Sequence, residues 1–166
     1  TSPVAYGCIE TQAQDDLPYR LNIIHDKIMA AFERYAPDEL SIEEIYFGAN
    51  TKSPIATAHA RGAVLVAAGR KNLVLGEYTP MQIKKAVVGT GAADKAQVQY
   101  MVQAILGLDH VPQPDHAADA LAAALCHARL RNMGQSGRKM NRHMHMHASE
   151  REAWTALAED MKGPQR

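Results

Sequence analysis

Short apolar runs alternate along this chain with longer stretches whose apolar residues recur every three or four positions, and that alternation commits it to an α/β layer architecture. Residues 4–11, VAYGCIET, mix β-branched and aromatic side chains and read as an opening strand. A helix follows from Asp15 or Asp16 as N-cap, with Pro18 in its first turn and Leu21, Ile24, Ile28, Phe32 and Tyr35 along one face, until Pro37 ends it. Leu40–Phe47 reads as a buried strand. Asn50–Gly69 reads as an Ala-rich helix in which Gly62 allows close packing on a neighbour, and Leu73–Tyr78 as the next strand. Thr79 and Pro80 open a short helix to Val88, GTGAAD breaks the chain, and Asp94 starts a helix to Leu106 whose stripe is Val98, Met101, Val102 and Ile105. Beyond the loop DHVPQP, Asp115 is expected to cap a long Ala-rich helix to about Arg131, with Leu121 and Leu125 on one face.

At 166 residues the chain suits one domain, expected over residues 1–131 and followed by a tail over 132–166. In the tail, GQSG and the basic MNRHMHMHA read as a linker, and Ser149 with Glu152 forms a capping box for a last helix carrying Trp154, Leu157 and Met161. A composition of 46% hydrophobic and 22% charged residues excludes disorder throughout, and no apolar run approaches a membrane span. Two cysteines, Cys8 and Cys126, are too few for a disulfide framework or a Cys-type zinc site, so both are expected to be small buried apolar residues in a reducing cytosolic compartment. Eighteen basic and eighteen acidic residues cancel, which argues against strong nonspecific binding to nucleic acid. Their distribution still leaves a basic edge, because Arg129 to His147 holds five Lys or Arg residues and no acid.

Three features could carry chemistry. In LSIEEIYF an acidic pair stands inside an apolar strand, where alternation sends Glu43 and Glu44 to opposite faces. A carboxylate facing a covered sheet needs an ion partner or a metal; a solvated strand end is the other reading. In PDHAADALAAAL, His116 and Asp119 lie three apart on one helical face, a spacing that suits a shared divalent ion, while N-capping and the helix dipole account for the same acids without a metal. Finally, Lys84 and Lys95 flank the turn in QIKKAVVGTGAADKAQVQ and could face phosphates or simply water; GTG lacks the further glycine of a dinucleotide fingerprint.

Taken in order from Gly7 to His127, the segments DDLPYRL, PDELSIEEIYFGAN, HARGAVLVAA, EYTPMQIKKAVVGTGAADKAQVQYMV and HAADALAAALCH resemble the RuvC family of Holliday junction resolvases. The resemblance implies a ribonuclease H-like mixed sheet flanked by helices, here with an extra C-terminal helical tail. It implies an endonuclease that resolves four-way DNA junctions by paired nicks in recombination and repair. Glu43, His116 and Asp119 fall at catalytic, metal-holding positions for Mg2+, with two ions expected and Mn2+ as a substitute. Tyr46 falls at the aromatic position that stacks on bases, and Lys84 and Lys95 fall at basic positions of the rim. Arg61 in HARG could face phosphate or cap its helix end. The implied partners are four-way junction DNA, a second copy of the chain in a twofold homodimer, and branch-migration proteins of the RuvA and RuvB type.

One departure stands out. The family's first catalytic aspartate sits on a central first strand in a GIDPG-like segment, and none of the 166 residues supplies that segment. A preceding hairpin of roughly 20 to 30 residues is therefore expected, lost through truncation of the sequence or an incomplete gene start. Taken literally, the chain would instead be a junction-binding module that does not cut. A third reading, metal storage or sensing, rests on His143, His145 and His147 alternating with Met in the tail.

Overall fold

The computed structural model of the protein describes residues 1–45 and 54–132. In chain order these form α1 (Leu17–Tyr35), β1 (Glu39–Glu43), α2 (Pro54–Arg70), β2 (Val74–Tyr78), α3 (Pro80–Val88), α4 (Lys95–Leu106) and α5 (Asp115–Asn132). The two strands run parallel, with Glu39 opposite Val74 and Glu43 opposite Tyr78, so α2 lies within a crossover connection. Helices α3, α4 and α5 pack on one another, α5 packs on both strands, and α1 packs on α2. None of the described helices is long and apolar enough to cross a membrane.

Local chemistry sets the helix ends that frame the site. Thr79 caps α3 by accepting from the Gln82 amide at 3.1 Å, while Gln82 Oε1 accepts from the Thr79 amide at 2.8 Å. Asp94 and Gln97 form the same reciprocal box at the start of α4, with 2.8 and 3.0 Å bonds. Gly89 and Gly107 stop these helices in the left-handed region that favours glycine. Between α3, α4, α5 and β2 lies the core, in which Tyr78, Ile83, Val87, Val98, Val102 and Cys126 are buried. Ala117, Ala118, Ala122 and Ala123 are buried along α5, and their small side chains let this helix approach the sheet closely. A polar tie reinforces that approach, since Ser41 Oγ donates to the Ala123 carbonyl at 2.8 Å.

A second tie runs through His127, which is buried on α5. Its Nδ1 lies 2.7 Å from the Tyr78 hydroxyl, and its Nε2 meets the Glu39 carboxylate at the start of β1. Arg131 Nε completes the group at 3.1 Å from Glu39 Oε1. Gly76 makes room for the imidazole, because a Cβ there would stand 2.4 Å from His127 Nδ1.

Several expectations need correction. Residues 4–11 are not a strand: they have no backbone hydrogen-bonding partner among the described residues, and Val4 stays exposed. Cys8 is exposed with them, and only Cys126 is buried. Asp16 holds the N-cap position of α1, but its side chain makes no capping bond there. Gly62 has open space where a Cβ would go, so it serves no close approach among the described residues. Strand β1 ends at Glu43, and the expected strand and helix positions 46–53 lie outside the described residues. So do the GQSG breaker, His143, His145, His147 and the expected helix with Trp154.

Candidate active site

At the carboxyl ends of the parallel strands, β1, α3, α4 and α5 enclose a cleft of about 260 Å3. Clefts at strand ends are where α/β proteins place their chemistry. Glu43 closes β1 at this cleft, Lys84 projects from α3, Lys95 opens α4, and Asp119 stands one turn into α5. Ile83 and Val98 contribute an apolar wall. Four residues singled out in the sequence, 76 positions apart at the extremes, thus meet in one place.

The acids in the cleft sense each other. Although Glu43 is accessible to water, partial burial pushes its carboxyl above the usual glutamate range; the Asp119 carboxylate adds to the rise and Lys84 opposes it. Lys95 Nζ sits 3.0 Å from Asp115 Oδ2 and 3.7 Å from Asp119 Oδ2. The hydrogen bond to Asp115 holds the Lys95 ammonium above its ordinary value, and the same bond holds Asp115 below the usual carboxylate range. His116 Nδ1 is 3.9 Å from Asp119 Oδ2, but the ring is largely exposed and does not line the cleft.

Asp115 was expected as a helix cap and is not one. Helix α5 begins at Asp115 itself, so its carboxylate is released toward Lys95 and also accepts from Gln99 Nε2 at 3.2 Å. Its position four residues before Asp119 was the available signal, because that spacing puts both acids on one face. Glu44 does not line the cleft; its amide donates to the Tyr78 carbonyl at 2.8 Å. Arg61 is drawn inward, with Nη1 donating to the Glu43 carbonyl at 2.5 Å and Nη2 paired with the Glu77 carboxylate. Tyr46 lies outside the described residues.

Among the described residues no three His, Cys, Asp or Glu side chains form a ready metal-holding group. The donor set nevertheless fits a hard divalent cation. Two oxygen donors, Glu43 and Asp119, share one cleft and repel each other, and a neighbouring ammonium already gathers Asp115 and Asp119.

An acidic cleft edged by lysines at the ends of parallel strands is the kind of site that handles phosphate esters. A family model described as crossover junction endodeoxyribonuclease RuvC matches residues 1–127. The chain is 49% identical over 124 residues to the RuvC of Syntrophomonas wolfei, covering 75% of this chain and 72% of that protein. It is 47% identical over 128 residues to the RuvC of Moorella thermoacetica, covering 77% of each. Among solved structures, Thermus thermophilus RuvC superimposes with a TM-score of 0.72 at 38% identity over 78% of each chain. The same protein in complex with a Holliday junction substrate gives 0.73 at 38% identity, over 78% of this chain and 79% of that one. The chain belongs to the RuvC family of crossover junction endodeoxyribonucleases, whose fold is the ribonuclease H-like one.

Proposed function

We propose that this protein is a structure-selective endodeoxyribonuclease that resolves four-way DNA junctions by paired, metal-dependent nicks during recombination and repair. Metal dependence is a property of the family's nucleases. The observation that carries the reading is the convergence of Glu43 and Asp119 on a cleft that Lys84 and Lys95 also line. Acids and ammonium groups in one cleft suit a phosphodiester, whose hydrolysis needs a held cation and neutralised oxygens.

Glu43, His116 and Asp119 would hold the ions, in our reading two Mg2+ with Mn2+ as a substitute. A divalent cation there supplies Lewis acidity to the phosphate oxygens. The chain's own residues do the rest. Lys84 and Lys95 present charge to the phosphodiester, with Lys95 moving from Asp119 toward the incoming anion. His116, exposed at the edge, would serve as a ligand of the cation or, instead, as the base that orients the attacking water. Tyr46 stacks on bases near the junction centre. A homodimer with twofold symmetry would place two such clefts on opposed strands. Residues 1–131 would form the nuclease domain and 132–166 a basic linker and helix. The setting would be cytoplasmic, with branch-migration proteins of the RuvA and RuvB type as partners.

Incubating the full-length protein with a labelled synthetic four-way junction and the matching linear duplex in Mg2+ tests the reading. Paired symmetric nicks in the junction, with duplex left intact, are expected. Equal cleavage of both would overturn it.

A further inference from the structure

Asp115 receives a two-point bridge from α4. That helix starts at Lys95, and Gln99, four residues on, lies on the same face one turn later. Asp115 opens α5, and its two carboxylate oxygens are divided between them: Lys95 Nζ stands 3.0 Å from Oδ2, and Gln99 Nε2 donates to Oδ1 at 3.2 Å. The capping box of Asp94 with Gln97 fixes the backbone from which the lysine projects. Asp119, one turn further along the same face of α5, is a more distant neighbour of that ammonium, with Oδ2 at 3.7 Å. Lys95 and Asp119 line the cleft, whereas Asp115 does not. The ammonium therefore has its closer partner outside the cleft and its weaker one inside.

We infer that Asp115, whose other oxygen Gln99 holds, is a positioning residue that seats the Lys95 ammonium at the rim and so leaves the Asp119 carboxylate open to a divalent cation; the inference rests on the cation-holding reading of the cleft given above. An ammonium and a divalent cation compete for Asp119, because both are drawn to the same oxygens. The lysine stem is flexible, and without a second acceptor its charge would settle on Asp119. An ammonium carries three donors, so one can stay on Asp115 while the others turn from Asp119 to a phosphate oxygen. Asp115 is thus the pivot on which Lys95 makes way for the cation and meets the phosphodiester. Both partners are half exposed, at 50% for Lys95 and 53% for Asp115, so substituting either leaves the core untouched.

The test measures Mn2+ affinity of the DNA-free, full-length protein by calorimetry, with junction cleavage alongside, in wild type, Asp115→Asn, Lys95→Met and the double variant. Asp115→Asn is expected to weaken Mn2+ binding by about 10-fold, as the ammonium settles on Asp119. Lys95→Met should tighten it, because the competing cation is gone. In the Lys95→Met background, Asp115→Asn should cost no more than about 3-fold, the direct effect of a screened charge one turn from the ion. An equal loss in both backgrounds would make Asp115 a partner of the ion itself and overturn the inference. Wild-type Mn2+ affinity in Asp115→Asn would overturn it too, as would weaker binding in Lys95→Met or a wild type that binds no Mn2+. If wild type binds Mn2+ and cuts no junction, the nuclease reading fails, while the affinity comparison still decides the role of Asp115.

Discussion

Replacing Gly76 by alanine puts one methyl group against a buried polar contact. The new Cβ would stand 2.4 Å from His127 Nδ1, 2.7 Å from Cε1 and 3.0 Å from the Tyr78 hydroxyl. Ordinary contact needs at least 3.4 Å, so the imidazole must retreat by about 1 Å or the strand must shift. Either movement stretches the 2.7 Å bond to Tyr78 and the bond to Glu39. Overpacking costs about 1 to 3 kcal/mol, and impairing buried polar contacts costs about 1 to 3 kcal/mol more. Alanine returns about 0.5 to 1 kcal/mol by restricting the unfolded chain. The net loss is about 1 to 5 kcal/mol, which lowers the melting temperature by about 3 to 15 °C for a domain of this size.

Thermal melts of wild type, Gly76→Ala, His127→Ala and the double variant make the assay. In the His127→Ala background the ring is gone, so Gly76→Ala should be neutral or slightly stabilising, a coupling of about 2 to 6 kcal/mol. Gly76→Ala melting at or above wild type would refute the argument, and so would an equal cost in both backgrounds.

Glu43→Gln and Asp119→Asn should each abolish junction cutting while junction binding persists, measured by gel shift beside cleavage, because charge for the metal is lost and the lysines remain. Metal-free Glu43→Gln should also be more stable than wild type at neutral pH. The raised Glu43 value means that the folded state holds this proton more tightly than the unfolded chain. Wild-type stability is therefore lost as the pH rises through the window between the two values, and the two proteins should converge below the ordinary glutamate range in a pH series of melts. A thiol reagent at pH 8 should label one cysteine of the native protein quickly. Cys8 is exposed, whereas burial pushes Cys126 to about 11; peptide mapping that finds Cys126 labelled first would contradict this.

Helices α3 and α4 were legible because their start and stop signals are local: Thr79 with Pro80, Asp94, and the glycines Gly89 and Gly107 after their ends. Residues 4–11 misled because β-branched composition makes a strand only where a neighbouring backbone pairs with it, and composition does not reveal that partner. Asp115 misled by one residue. A cap and a first helical position differ by a single step, yet that step decides whether the carboxylate bonds its own helix or reaches Lys95. Arg61 failed for a different reason. From HARG alone a guanidinium could face phosphate, and only the fold brings the Glu43 carbonyl and Glu77 within its reach.

The convergence of Glu43 and Asp119 has a mechanical cause that lies outside the cleft. The Asp119 carboxylate raises the proton affinity of Glu43, and two like charges would separate if α5 were free to tilt, so something must hold α5 down. The buried alanines on α5 permit the close approach, and the Ser41 bond to Ala123 sits one turn beyond Asp119. His127 sits two turns beyond Asp119 and ties the same helix to Glu39 at the far end of β1 and to Tyr78 on β2. The strand that ends in Glu43 is therefore bound at its start to the helix that carries Asp119. If the cleft binds a cation as proposed, that lever should carry the His127 contact to it, so His127→Ala is expected to weaken Mn2+ binding although its ring does not line the cleft. Asp119→Asn, by contrast, should remove the repulsion and raise the metal-free melting temperature. If both substitutions leave melting and Mn2+ affinity unchanged, α5 is not under the tension inferred from its packing.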